Sequence, residues 1–249
     1  MSNRHLTMKK VILINLTILL SFPLAAQIQF RYGISLQPHF AQASLVQDSV
    51  VDPLVYAFFQ DLEIGQVGLW LGPNFQIDLP GPLAIQTGLQ VGWTGFRNKW
   101  RQLTPPVILD TAQGIFVPDT TFPYTRGTNK FRYFRFRVPV RGEFHITPNL
   151  YVLGGPTFQY LMTTQALNIN ETPEGRRDRE NFPSLATDLS GLNRFFVGID
   201  FGLGYQGQLG QGPQYFVQGL ISPDLQRLFQ QAALNRRLVS VGIEAGLRW

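Results

Sequence analysis

The sequence predicts an all-β fold: an eight-stranded antiparallel β-barrel that crosses a membrane, with short turns at one end and long loops at the other. Three observations carry this. Apolar and polar residues alternate through most of eight segments, an export-type segment opens the chain, and tight turns alternate with long polar links.

Residues 1–26 read as a signal peptide. Arg4, Lys9 and Lys10 precede the apolar run 11–20, and Ala25 and Ala26 offer a cleavage site before Gln27. The run is short for a membrane span and is broken by Asn15, Ser21 and Pro23. Met8 is an alternative start. Cleavage removes three basic residues and no acid. Residues 27–249, read as one barrel, then carry 18 basic and 16 acidic side chains, a net +2 against +5 for the whole sequence. No basic cluster interleaved with aromatics points to nucleic acid. The sequence has no cysteine, which excludes disulfides, a thiol nucleophile, a cysteine zinc site and a lipoprotein anchor. No other segment has the apolar run of a membrane helix, so further crossings fall to strands.

The strands follow from a period of two. The first sets Ile28, Phe30, Tyr32, Ile34, Leu36 and Phe40 against Arg31, Gly33, Ser35, Gln37 and His39. The second sets Val67, Leu69, Leu71, Phe75 and Ile77 against Gly68, Trp70, Gly72, Asn74, Gln76 and Asp78. The third sets Leu83, Ile85, Leu89, Val91 and Trp93 against Ala84, Gln86, Gly88, Gln90 and Thr94. The fourth sets Phe134, Phe136, Val138, Val140 and Phe144 against Arg135, Arg137, Pro139, Arg141, Glu143 and His145. The fifth, 150–162, puts Leu150, Val152, Phe158, Tyr160 and Met162 outward. The sixth sets Phe195, Val197, Ile199, Phe201, Leu203 and Tyr205 against Phe196, Gly198, Asp200, Gly202, Gly204 and Gln206. The seventh, 214–222, has no assigned phase. The eighth sets Val239, Val241, Ile243, Ala245, Leu247 and Trp249 against Ser240, Gly242, Glu244, Gly246 and Arg248. Most reach the roughly 9–11 residues that a tilted membrane strand needs.

Turns at 80–82, 147–149 and 210–213 are rich in Pro, Gly and Asn, whereas 41–65, 97–128, 165–192 and 223–235 read as long polar links. In an outer membrane the turns would be periplasmic, as would both ends of residues 27–249. Phe40, Trp93, Phe134, Tyr160 and Phe195 would then form an outer aromatic belt, and Phe75, Phe144, Tyr205, Tyr215 and Trp249 an inner one. Alternation alone does not say which face is inside; a soluble lipocalin-like barrel would turn the apolar face inward. The polar face is mostly Gly, Gln, Ser and Thr, a poor soluble surface and a suitable lining for a narrow lumen.

Arg31, Asp78, Arg135, Arg137, Arg141, Glu143, Asp200, Glu244 and Arg248 all fall on the inward face. Unpaired charge there is costly, so the expectation is a network in which arginine forks pair with carboxylates and plug the lumen. A narrow anion path is the alternative. Gly202, Gly204 and Gly207 spell a dinucleotide fingerprint, but inside a strand they relieve crowding instead. His39 shares a face with Ser35, a pairing some lipid-modifying barrels use, yet no carboxylate partner can be assigned. His145 falls at the periplasmic end, and no spacing suggests a metal or other cofactor. The charged stretch 171–180 reads as a solvated loop, with lipopolysaccharide phosphates or a partner protein as alternatives. Pro38, Pro73, Pro139 and Pro156 lie inside strands, where each should cause a bulge or leave a carbonyl unpaired.

The stretch FRFRVPVRGEFHITPNLYVLGGPTFQYLM resembles the PorT-like outer-membrane β-barrel family of Bacteroidota. Val138-Pro139-Val140 stands where that family has an Ile-Pro-Leu strand, and Gly155-Pro156 where it has a Gly-Pro step before aromatics. The resemblance implies an integral outer-membrane barrel without catalytic residues, in a family whose named member is implicated in assembling the type IX secretion system. A small-solute channel and, further off, a lipid A-modifying enzyme are the other readings. By resemblance to outer-membrane proteins generally, the last strand and Trp249 would serve as a signal to the barrel-assembly machinery. Expected partners are outer-membrane lipid and lipopolysaccharide, that machinery, and secretion-system or surface proteins.

Overall fold

The computed structural model describes residues 28–47, 52–110, 115–119, 121–181, 191–230 and 234–249. The expected signal peptide lies outside them. In chain order the strands are β1 (Gln29–Gln47), β2 (Glu63–Asp78), β3 (Leu83–Gly88), β4 (Gln90–Asn98), β5 (Arg101–Gln102), β6 (Val107–Asp110), β7 (Ile115–Pro118), β8 (Arg126–His145), β9 (Leu150–Glu171), β10 (Arg177–Asn181), β11 (Phe195–Gln208), β12 (Gln214–Pro223) and β13 (Leu234–Arg248). One helix, α1 (Pro53–Leu62), joins β1 to β2.

Eight staves close into a barrel. They are β1, β2, the pair β3 and β4 end to end, β8, β9, β11, β12 and β13, each antiparallel to the next. Pairing of β13 with β1, from Gly33↔Arg248 to Gln47↔Leu234, shuts the sheet. No helix among the described residues is long and apolar enough to cross a membrane.

Burial is inverted relative to a soluble protein. Phe30 is 60% exposed and Ile243 58%, whereas Arg141, Gln76 and Glu244 are at 0–1%. The apolar face therefore points away from the barrel, which excludes the lipocalin-like alternative and requires a hydrocarbon solvent. The seventh stave now has a phase: Phe216, Gln218, Leu220 and Ser222 are buried, and Val217 and Ile221 face out. Rings pair along both expected belts, Trp93 with Phe134 at 6.4 Å on the loop side and Tyr205 with Tyr215 at 6.3 Å on the turn side. Tyr151 fills the space over Gly204, where a Cβ would lie 2.2 Å from its ring, so glycine there relieves crowding as expected.

Three expectations need correction. The third stave is interrupted at Leu89. Its opposite residue on β2 is Pro73, and continuing the β8 register sets Pro139 against Gly88. Proline lacks the N–H the ladder needs, so two prolines flank the break. Leu89 N–H still reaches Pro73 O at 3.1 Å, and the Thr87 hydroxyl donates to Pro139 O at 2.8 Å. At Pro38 and Pro156 the ladder lapses on one side without a register shift, so no bulge forms there.

Second, the long links are not simply polar loops. Strands β1, β8, β9 and β13 run past the loop-side belt, and α1 starts where Asp52 Oδ1 accepts from Leu54 N–H at 2.8 Å, ahead of Pro53. Third, the charged stretch after Glu171 is a hairpin. β10 folds back on β9, and β5, β8, β9 and β10 make a four-stranded blade beyond the barrel. Glu171 clamps it, held by Arg126 and by Arg177 at 2.8 Å, with both guanidiniums against the Trp100 ring. Hydrogen bonds from Arg177 and Arg126 hold the Glu171 carboxyl below its ordinary value.

Leu36 lies midway between the belts, level with Leu71 and Ala245. Leu36→Arg should cost about 2–4 kcal/mol in denaturant titrations of barrel folded into vesicles. Leu54→Arg on α1 should change stability by less than about 0.5 kcal/mol.

Candidate functional site

The interior is the first candidate site. On β8, side chains at alternate positions point inward about 6.8 Å apart, and the residues there are Arg135, Arg137 and Arg141, with Pro139 between the last two. Each arginine crosses the lumen to a carboxylate on another stave. Arg137 Nη2 lies 2.7 Å from both oxygens of Asp200 on β11, and its Nη1 donates to Gln37 Oε1 on β1 at 2.7 Å. Arg141 bridges Asp200 at 2.7 Å and Glu244 on β13 at 2.6 Å. Glu244 also accepts from Gln90 at 2.9 Å and Gln218 at 2.8 Å.

Nearer the turns, Arg248 lies 3.4 Å from Glu143, bonds to Gln76, and covers the Phe216 ring at 4.0 Å. His145 is 3.6 Å from Glu143. At the turn-side rim Arg31 pairs with Asp78 at 2.9 Å, both about a quarter exposed. All nine expected charges join ion pairs: Arg31 and Asp78 pair between the adjacent strands β1 and β2, and the other seven pair across the lumen. The partner of Arg135 is one the sequence did not reveal: Asp224, at 2.7 Å, just past β12. Gln159 accepts from Arg135 at 3.0 Å, and Phe196 lies under the guanidinium at 4.0 Å. The inward parity of 216, 218, 220 and 222 continues to Asp224, a signal hidden while that stave had no phase.

Ser35 and His39 do not form a nucleophile–base pair. Four residues apart on one strand, their Cα atoms are separated by about 13 Å. Ser35 Oγ accepts from Gln90 Nε2 at 3.2 Å, and His39 stacks on Trp70 at 5.7 Å. Among the described residues no group of His, Asp and Glu could hold a metal ion.

Above Arg135 the interior turns apolar. Phe96, Tyr133, Leu161, Phe196, Leu228 and Leu238 form a core under the blade, and Leu192 and Phe229, bridged to each other, fold over it. The loop-side mouth holds a cavity of about 530 Å³ between Phe96, Phe131, Leu192, Phe229 and the ion pair Glu63–Arg236. That volume suits a small molecule. Deeper down, a void of about 10 Å³ beside Trp70, Arg135 and Arg137 has room for roughly one water.

No protein-family model matches the chain, and neither does any curated protein. Among solved structures it is similar to Ail, the attachment invasion locus protein of Yersinia pestis, solved in complex with the heparin analogue sucrose octasulfate. Identity is 10%, coverage 89% of this chain and 99% of that one, and the TM-score 0.34. It is also similar to Neisserial surface protein A, with 8% identity, 88% and 97% coverage and a TM-score of 0.40. A third is the outer membrane protease OmpT of Escherichia coli, with 10% identity, 92% and 99% coverage and a TM-score of 0.33. The pairing and inverted burial of this chain carry its fold by themselves: it is a membrane-spanning barrel of the outer-membrane type.

Asp200→Ala would leave Arg137 and Arg141 sharing one carboxylate too few in a dry interior. The expected loss is about 3–5 kcal/mol, read as a lower midpoint for unfolding from vesicles. Asp200→Asn, which keeps an acceptor, should lose less.

Proposed function

We propose that this chain is an outer-membrane barrel of a Gram-negative envelope, set with its short turns in the periplasm and its blade outside. It works without catalysis, as a structural or assembly component of protein secretion or as a surface-interaction protein. The observation that supports this most is the contrast between a braced, closed interior and an elaborated outer end. Arg137, Arg141, Asp200 and Glu244 meet across the lumen, while α1, the blade and the mouth cavity sit where other molecules can reach them. The resemblance to PorT-like barrels supplies the secretion part of the reading. The separation of Ser35 from His39 weighs against a lipid-modifying enzyme.

A small-solute channel would need a water-filled route past Arg137 and Arg141. Purified barrel in planar bilayers should give no lasting conductance steps. Steady ohmic steps that disappear on removing the protein would favour the channel instead.

The secretion role is tested by deleting the gene and comparing secreted and surface proteomes with those of the parent. Selective loss of a cargo class, restored by the intact gene, is the expected result. An unchanged proteome would sink the secretion role and leave surface interaction.

A further inference from the structure

Above the outer aromatic belt, the outward face gathers positive charge on the adjacent strands β4 and β8 and, across β9, on β10. Phe131 and Tyr133 face inward on β8, so Lys130 and Arg132 face outward. Phe96 faces inward on β4, so Arg97 faces outward, and it is the direct partner of Lys130 across the ladder. On β10, Arg179 pairs with Ile169, whose parity is opposite to that of the inward Ala166. Four cations thus share one patch.

Among the described residues none of the four is neutralised. Among the described residues, no carboxylate lies within salt-bridge distance of Arg97, Lys130, Arg132 or Arg179, although other exposed arginines such as Arg126, Arg176 and Arg177 have acidic partners. Arg132 makes one long contact, to Gln165 Oε1 at 3.5 Å, and its Nε has no partner. Arg132, Arg97 and Arg179 set like charge around the Lys130 ammonium. Like charges crowded in this way are stabilised when an anion joins them.

The height of the patch identifies the anion. Arg132 stands two residues beyond Phe134, and Arg97 four beyond Trp93, about 7 and 13 Å along strands that tilt to the membrane normal. Headgroups occupy about 5–8 Å outside the hydrocarbon on each side. Arg132 stands within that layer, Arg97 and Lys130 stand just above it, and Arg179, level with Thr128 through Ile169, stands higher still, so the long side chains of these three turn down to meet an anion there, which beside a lipid-facing wall is a lipid phosphate.

We propose that Arg97, Lys130, Arg132 and Arg179 form a binding site for the phosphate groups of a phosphorylated glycolipid, lipid A, in the outer leaflet. Guanidiniums supply forked donors that match phosphate oxygens, and Lys130 adds a point charge between them. The Trp93 and Phe134 rings directly below would lie against the upper acyl chains. This deepens the outer-membrane reading by naming a lipid partner, and rests on it only for its setting.

The test is native mass spectrometry of the full barrel released from micelles titrated with bisphosphorylated lipid A. Parallel titrations use enzymatically dephosphorylated lipid A and phosphatidylglycerol. The wild type should retain the phosphorylated lipid in preference to both. The pair Lys130→Gln with Arg132→Gln should weaken retention on the order of thirtyfold, from roughly 1 kcal/mol per basic residue. Arg176→Gln, which removes a charge from the blade turn, should leave it unchanged. Heat-modifiable migration on gels checks that each variant is folded. Equal retention of the dephosphorylated lipid, equal retention of phosphatidylglycerol, or unchanged affinity in the double variant would each overturn the site. Envelope fractionation separately tests location: recovery with the inner membrane would overturn the outer-membrane reading and leave the binding result standing.

Discussion

Hydrocarbon offers no hydrogen bonds, so every backbone N–H and C=O that crosses it must find a partner within the chain. Here that requirement is met by the β1–β13 seam. Without it, β1 and β13 would each present an unpaired edge to lipid. The seam runs from the turn side, where Trp249 N–H donates to Tyr32 O at 2.8 Å, to Gln47↔Leu234 beyond the outer belt. Closure in turn fixes the even count of staves, the shared end for Gln29 and Trp249, and the alternation of short turns with long excursions.

Closing only eight staves leaves an interior just wide enough for side chains. The protein fills it with long arginine stems that end in forks, and each fork ties β8 to a distant stave. Lysine would place one point charge where Arg141 reaches both Asp200 and Glu244. The net stability from such buried pairs is modest, because desolvation offsets most of the attraction. Their larger effect is on register. A one-residue slip of β8 would turn Arg135, Arg137 and Arg141 into lipid, at about 2–4 kcal/mol each near the midplane, and strand their carboxylates inside. Competing registers are therefore penalised far more than the native one is favoured.

Much of this could be read from the sequence because a period of two records both faces of a strand. The closure, the inverted burial, the belts and the nine lumen charges all follow from parity. What escaped lay where parity was hidden or changed meaning. Asp224 is hidden because Pro223 resembles the start of a loop, although the inward phase continues through it. The break at Leu89 depends on prolines in two other strands, Pro73 and Pro139, which no local reading of the third stave contains. α1 lies within 41–65, a stretch whose polar ends hide it, although the Asp52-Pro53 start and the apolar residues Leu54, Val55, Phe58 and Phe59 mark it.

The largest omission, the extension of the staves beyond the belt, has a single cause. Inside the bilayer the solvent is apolar and the lumen polar; above it the outside is water and the barrel needs an ordinary core. The hydrophobic face must therefore change sides at the membrane surface while the strand continues unbroken. On β8, Phe134 and Phe136 face out, but Phe131 and Tyr133 face in, with Lys130 and Arg132 outside. On β4 the change falls between Trp93 and Phe96, and on β11 between Phe195 and Phe196. On β13 it falls between Leu238 and Val241. To a reader following one apolar phase, each change looks like the end of a strand. Taken together the four changes lie at the outer aromatic belt. They mark the surface of the bilayer on the sequence itself.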